Sequence, residues 1–324
     1  MCTELLVPLD GSPLANAAVP LAVEIARHLK SSIHLVRVHT PFVVFSSGAD
    51  TMAPIPDPSF DSRAREDAQT WLLRQANELR TSAGVPITSE LRAGVPVEEI
   101  AAVATDRRVQ AVVCSTHGLG GRALGWLGSV ADGVIRHVPC PVLAMSESAV
   151  ARPALIRRVL VLHDGSTVSD EIVPHAAWLA RAFGAEVELL RVVAPPWVGE
   201  SLTALSAGNE DPFGVDADAD ASKVGLDAIA DNLRQEGLTV RASVVVHLSP
   251  SRAILEHIEQ SNPDAIALAT YGRGLSRLLR GSVADKLLRA AGRPTLLFRS
   301  TRHAAGGVRN QHDAGELFTA SIPA

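Results

Sequence analysis

Lysine is nearly missing from this chain. Among 324 residues only Lys30, Lys223 and Lys286 occur, and arginine supplies the other positive charges. None of the three lysines follows a glycine, so the Gly-Lys-Ser/Thr core of a Walker A phosphate loop is excluded. Cysteine is scarce too. Cys2, Cys114 and Cys140 are odd in number, and Cys114 falls inside an apolar run that reads as a strand. That pattern argues against a disulfide framework and for a reducing compartment. No stretch of about 18 apolar residues exists, so no membrane partner is expected. The first residues have no basic start ahead of an apolar segment, because Asp10 and Gly11 interrupt it, and a cytoplasmic protein is the expectation. A net charge of −5 supplies no field that would draw nucleic acid.

What is present is a repeat. Apolar residues make up 47% of the chain, enough for two packed cores at this length. The run Ala111-Val112-Val113-Cys114 reads as a buried strand and leads into the glycine-rich stretch Ser115 to Ser129. A helical pattern follows to about His137. The run Ala265-Ile266-Ala267-Leu268 leads likewise into Ala269 to Ser282. Gly-Ser-Val-Ala-Asp closes both stretches, at positions 128 and 281, 153 residues apart; Asp-Gly-Ser occurs at 10 and 164, 154 apart. A period of this length means two copies of one domain.

Each copy reads as five apolar strands alternating with amphipathic helices, which implies a parallel sheet covered on both faces. The fold class expected is α/β: two five-stranded parallel-sheet α/β sandwich domains with strand order 3-2-1-4-5, a Rossmann-like arrangement. Their expected bounds are 1–148 and 154–302, followed by a loose tail over 303–324. Residues 40–60, with four prolines, and 195–213 read as loops, and 148–156 as a linker. Ser12-Pro13 predicts a helix start with Ser12 as N-cap. In this strand order a ligand crevice lies between the first and fourth strands. Asp10 ends the first strand and the glycine loop follows the fourth, so both converge there. Glycines let backbone approach a phosphate, and the first N–H groups of a helix are free to bind it. A Rossmann-type dinucleotide site is not expected: Gly118-Leu119-Gly120 breaks at Ala123 and follows the wrong strand.

These residues resemble the universal stress protein family, in its tandem form. The shared pattern is Gly-x-x-Gly, nine residues, then Gly-Ser or Gly-Thr, with an Asp after the first strand. The resemblance covers roughly residues 3–146 and 157–299, and it implies a fold of the adenine-nucleotide α-hydrolase kind. In ATP-binding members the Asp meets the adenine, a Val near the end of the second strand lines the base pocket, and the loop holds ribose and phosphates. Carried over, this implies Asp10, Val38, Cys114, Ser115, Gly118, Gly128 and Ser129 in the first copy. In the second it implies Asp164, Val192, Leu268, Ala269, Gly272, Gly281 and Ser282. The cofactor implied is ATP, with Mg²⁺ left open, and the partner surface implied is the fifth strand of each copy, pairing the domains within one chain. Association of two chains stays open. Ser115 and Ala269 depart from the pattern by standing where it has its first glycine. The second loop is one residue shorter before Gly281 and carries Arg273, Arg277 and Arg280, whose charge favours phosphates.

Plainer readings compete. Ser129-Val-Ala-Asp132 and Ser282-Val-Ala-Asp285 match capping boxes, which need no ligand. Asp10 and Asp164 can simply order the turn after the strand, Trp126 can be a packing residue, and Cys114 an inert thiol. His117 has no histidine counterpart, since Tyr271 aligns with it. No general base, Walker lysine or carboxylate pair for Mg²⁺ stands near the loop, so fast ATP turnover is not expected. A scaffold with empty sites is the alternative function, and an enzyme acting on a nucleotide-like substrate is a third.

Overall fold

The computed structural model describes residues 4–41, 43–48, 51–56, 58–117, 127–150, 152, 154–195, 215–271 and 283–300. The first copy contains β1 (Glu4–Pro8), α1 (Pro13–Ala17), α2 (Val19–Leu29), β2 (Ser32–His39), β3 (Val43–Gly48), β4 (Thr51–Pro56) and α3 (Pro58–Ser82). It continues with β5 (Ile87–Ala93), α4 (Pro96–Asp106), β6 (Ala111–Ser115), α5 (Ser129–His137) and β7 (Val142–Met145). A short α6 (Glu147–Val150) opens the connection to the second copy. There follow β8 (Arg158–Leu162), α7 (Thr167–Asp170), α8 (Val173–Phe183), β9 (Glu186–Val193), α9 (Val215–Gln235) and β10 (Val240–Val246). The last elements are α10 (Pro250–Ser261), β11 (Ala265–Tyr271), α11 (Val283–Ala290) and β12 (Thr295–Ser300).

Ten strands form one sheet, in the order β10-β9-β8-β11-β12-β7-β6-β1-β2-β5. Each half therefore has the expected order 3-2-1-4-5, all parallel. The halves join where β7 meets β12 antiparallel, with Leu143 opposite Leu296. Leu5, Leu6 and Val7 of β1 are all fully buried, which is why that strand is an unbroken apolar run: helices cover both of its faces. Pro8, unable to donate to a ladder, is the last residue of β1. One face of the sheet carries a core that runs from Leu5 and Leu143 to Val159 and Leu296, and the other carries Leu6 and Val142 together with Leu160 and Leu297. Both cores cross the seam. Helices α2 and α8 meet over it, His28 against Phe183 with ring centres 4.8 Å apart.

Two loop assignments are corrected. Within 40–60 the backbone forms an antiparallel hairpin, Val43 opposite Pro56 and Gly48 opposite Thr51. The prolines at 54 and 56 are tolerated because a two-stranded ribbon leaves half its N–H groups outside the ladder. The linker over 148–156 includes part of α6. Here Ser146 accepts the Ala149 N–H with its side chain, giving a helix turn a start that composition hides. The expected tail over 303–324 and the loop over 196–213 lie outside the described residues.

The same sheet position is polar in both halves. His34 of β2, 2% exposed, shares Nδ1 with the Thr88 hydroxyl at 2.7 Å, while Nε2 stays 3.5 Å from a Glu90 oxygen without a hydrogen bond. Burial, helped by the Arg107 charge, holds its pKa below 6.5 against the pull of Glu4 and Glu90. The unfolded chain thus binds a proton that the fold refuses, so this contribution to stability is present above pH 6.5 and lost as pH falls below it. Urea titrations at pH 7.5 and 5.5 should show the loss, about 1.4 kcal/mol per pH unit at most, and the His34→Gln chain should show a flatter dependence.

Candidate functional site

The crevice between β1 and β6 is built on backbone. After Pro8, the Leu9 N–H bonds to the Val36 carbonyl and the chain turns through Asp10-Gly11-Ser12. Asp10 Oδ1 accepts the Ser12 N–H at 2.8 Å, Gly11 takes φ +91°, and the Ser12 hydroxyl oxygen caps α1 through the Ala15 N–H. The second copy repeats this. Asp164 Oδ1 accepts the Ser166 N–H at 2.9 Å and also the Ser166 hydroxyl at 2.5 Å, and Gly165 takes φ +85°. Burial pushes the Asp164 carboxyl up, but these hydrogen bonds outweigh it and hold the pKa below its ordinary value. Both aspartates therefore order their turns, as the plainer reading expects, at the carboxyl rim of the sheet.

The glycine loop of the first copy is anchored at both ends. The Ser115 hydroxyl donates to the His117 carbonyl at 2.6 Å, and the Gly128 N–H returns to the Thr116 carbonyl at 2.7 Å. The loop thus leaves β6 and re-enters at α5 within one hydrogen bond of its start. A Cβ on Gly128 would stand 3.2 Å from that Thr116 oxygen, tight enough that glycine is the residue that fits. Gly128 is also the N-cap of α5, and among the described residues no side chain caps the helix. The capping-box expectation at Ser129 is corrected: Ser129 is the first helical residue, and Asp132 pairs one turn on with Arg136 at 2.6 Å. The orphan N–H groups of this end are left for another acceptor. The corresponding reading at Ser282 lies outside the described residues, as do Gly118, Gly272, Gly281 and Trp126.

The remaining residues fall on either side of the rim. Val38 and Val192 end β2 and β9, partly buried against the core. Cys114 and Leu268 are buried near the ends of β6 and β11, and Ser115 and Ala269 follow them, partly exposed. Burial pushes the Cys114 thiol up to about 12, an inert strand residue. His163, aligned with Leu9, shares Nδ1 with the Gly165 N–H and Nε2 with Asp170 at 2.9 Å, so both ring nitrogens are engaged in holding the turn. Among the described residues no group of three His, Cys, Asp or Glu could hold a metal ion. Sequence reasoning passed over Arg37 and Arg191, which stand just before the two valines and lie against the Asp-Gly-Ser turns. Their recurrence at one strand position in both copies is the signal that marks them. Burial lowers the Arg37 pKa, and the Asp10 carboxylate opposes that.

Fold and rim together define a doubled α/β protein with an Asp-Gly-Ser turn at the strand carboxyl ends of each half. The chain belongs to the universal stress protein family: the model of the Universal stress protein family matches residues 1–146 and again 155–299. It is 28% identical over 308 residues to the universal stress protein Rv2005c of Mycobacterium tuberculosis, covering 91% of this chain and 97% of that protein. A shorter relative, universal stress protein YxiE of Bacillus subtilis, is 28% identical over 145 residues, 44% of this chain and 98% of its own. The crystal structure of a universal stress protein from Archaeoglobus fulgidus shares the fold with TM-score 0.65 at 20% identity, covering 91% of this chain and 98% of that one. A putative universal stress protein from Pseudomonas aeruginosa follows at 0.59 and 17%, covering 92% and 93%. No helix among the described residues is long and apolar enough to cross a membrane.

Proposed function

We propose that this tandem protein binds ATP in the crevice between its first and fourth strands and acts in the cytoplasm as a nucleotide-dependent stress-response factor. Occupancy is the signal, and turnover is not part of the role. The observation that carries this reading is the anchored loop of the first copy: Gly128 closes it onto Thr116 and starts α5 with no side-chain cap, beside the Asp10 turn. Backbone donors of this kind suit a triphosphate, and Mg²⁺ arriving with it would lean on phosphate oxygens. A scaffold with unfilled crevices is the second reading. It is favoured by the second copy, where Arg191 lies on the turn.

Calorimetric titration with ATP separates the two. The intact chain should bind, and Asp10→Ala should weaken the first crevice about tenfold or more, the scale of one hydrogen bond to a charged group. Gly128→Val should weaken it further, because the added side chain meets the Thr116 backbone. No binding by the intact chain selects the scaffold.

A further inference from the structure

The two copies differ behind the Asp-Gly-Ser turn, and the difference comes down to one residue of a covering helix. Buried Leu72 and Ala76 of α3 match buried Leu226 and Ala230 of α9, 154 residues on. The same offset sets Trp71 against Gly225 and Arg37 against Arg191. In the first copy the Arg37 guanidinium carbon lies 4.7 Å from the centre of the Trp71 ring. A Cβ built on Gly11 would stand 3.5 Å from that guanidinium, an ordinary contact. In the second copy the indole is gone, and a Cβ built on Gly225 would meet nothing within 4 Å. Arg191 rests on the turn itself, its guanidinium carbon 2.5 Å from where a Gly165 Cβ would be.

We propose that Trp71 is a positioning residue of the first crevice, acting through Arg37 on the Asp10-Gly11 turn, so that the chain takes up one adenine nucleotide at its first copy well before its second. The inference rests on the ATP reading above. A guanidinium seated over an indole face is held in place by the ring's quadrupole and touches the turn only at ordinary contact distance. Without that seat it settles on bare glycine backbone and must be moved before a ligand reaches the rim. That displacement subtracts from affinity in the second copy. The loop arginines Arg273, Arg277 and Arg280 pull the other way, by attracting phosphate.

Calorimetric ATP titration of the full chain tests this, with Asp164→Ala reading the first crevice and Asp10→Ala the second. The first should bind about tenfold tighter, the scale of one desolvated cation–π contact. In the Asp164→Ala chain, Trp71→Gly should lower affinity by about that factor and Trp71→Phe should restore most of it. Adding Arg37→Gln to the Trp71→Gly chain should restore most of the lost affinity, because no guanidinium is left to settle on the turn, and a plain packing defect in the helix would not be rescued in this way. Gly225→Trp in the Asp10→Ala chain should tighten the second crevice. Equal constants in the two crevices, a tighter second crevice, a Trp71→Gly chain that binds like its parent, or a Trp71→Gly loss that Arg37→Gln does not relieve would overturn the inference and leave the ATP reading standing. No binding by the unaltered chain would overturn both.

Discussion

Replacing His257 with leucine is expected to destabilise the fold by about 2 kcal/mol, the scale for leaving a buried carboxylate without its hydrogen-bond partner. Glu188 of β9 is 8% exposed, and its carboxylate lies 2.7 Å from His257 Nε2 on α10. The hydrogen bond from His257 holds the Glu188 pKa below 4.5 against burial, which would raise it; the charges of His257, Arg158 and Arg241 add to the lowering. With His257 gone the carboxylate stays buried with less compensation. Arg158 and Arg241 bound the loss, though both are already engaged with Glu186. The first copy shows that the fold does not need the pair, because His34 and Val103 occupy the matching positions. Glu188→Leu with His257→Val should therefore recover most of the stability, and a double-mutant cycle by urea unfolding measures the coupling. The sign in acid follows from the lowered pKa: the contribution is intact above pH 4.5 and fades as Glu188 takes up a proton below it. A His257→Leu chain within 1 kcal/mol of its parent would show that the arginines alone hold the carboxylate.

Leu143→Ala should cost about 3 kcal/mol, and both halves should feel it together. Leu143 is fully buried in β7, beside Val113 of β6 on one side and Leu296 of β12 on the other. All three belong to the core that runs through both copies. Deleting its branch leaves a void where the halves join, in a strand that cannot shift without breaking the ladder to β6. Chains that keep only Trp71 or only Trp178 of the four tryptophans give one optical signal for each half. Their unfolding midpoints should stay coincident in the variant, as expected of one cooperative unit. Two separated transitions would mean that the seam is only a contact between independently folding domains.

Much of this architecture could be read from the chain alone, because strands buried on both faces leave unbroken apolar runs and the offset of 153 to 154 residues pairs them. Ser12-Pro13 announced its helix correctly, since a capping side chain and a proline at the first turn are local signals. What escaped was non-local. Four prolines concealed the hairpin over 43–56, because ladder pairing depends on which N–H groups face the partner strand. Ser129 matched a capping box by spacing, yet the Gly128 N–H is drawn to Thr116, which makes the glycine the cap and moves serine one place inward. Arg37 and Trp71 are 34 positions apart and carry no shared motif; only the packing of α3 on β2 brings the cation over the ring.

The reversal of direction between β7 and β12 has a geometric consequence for any signal. It sends the carboxyl rims of the two half-sheets to opposite borders of the one sheet. The two Asp-Gly-Ser turns therefore stand on opposite sides, and a small molecule that touches one does not reach the other.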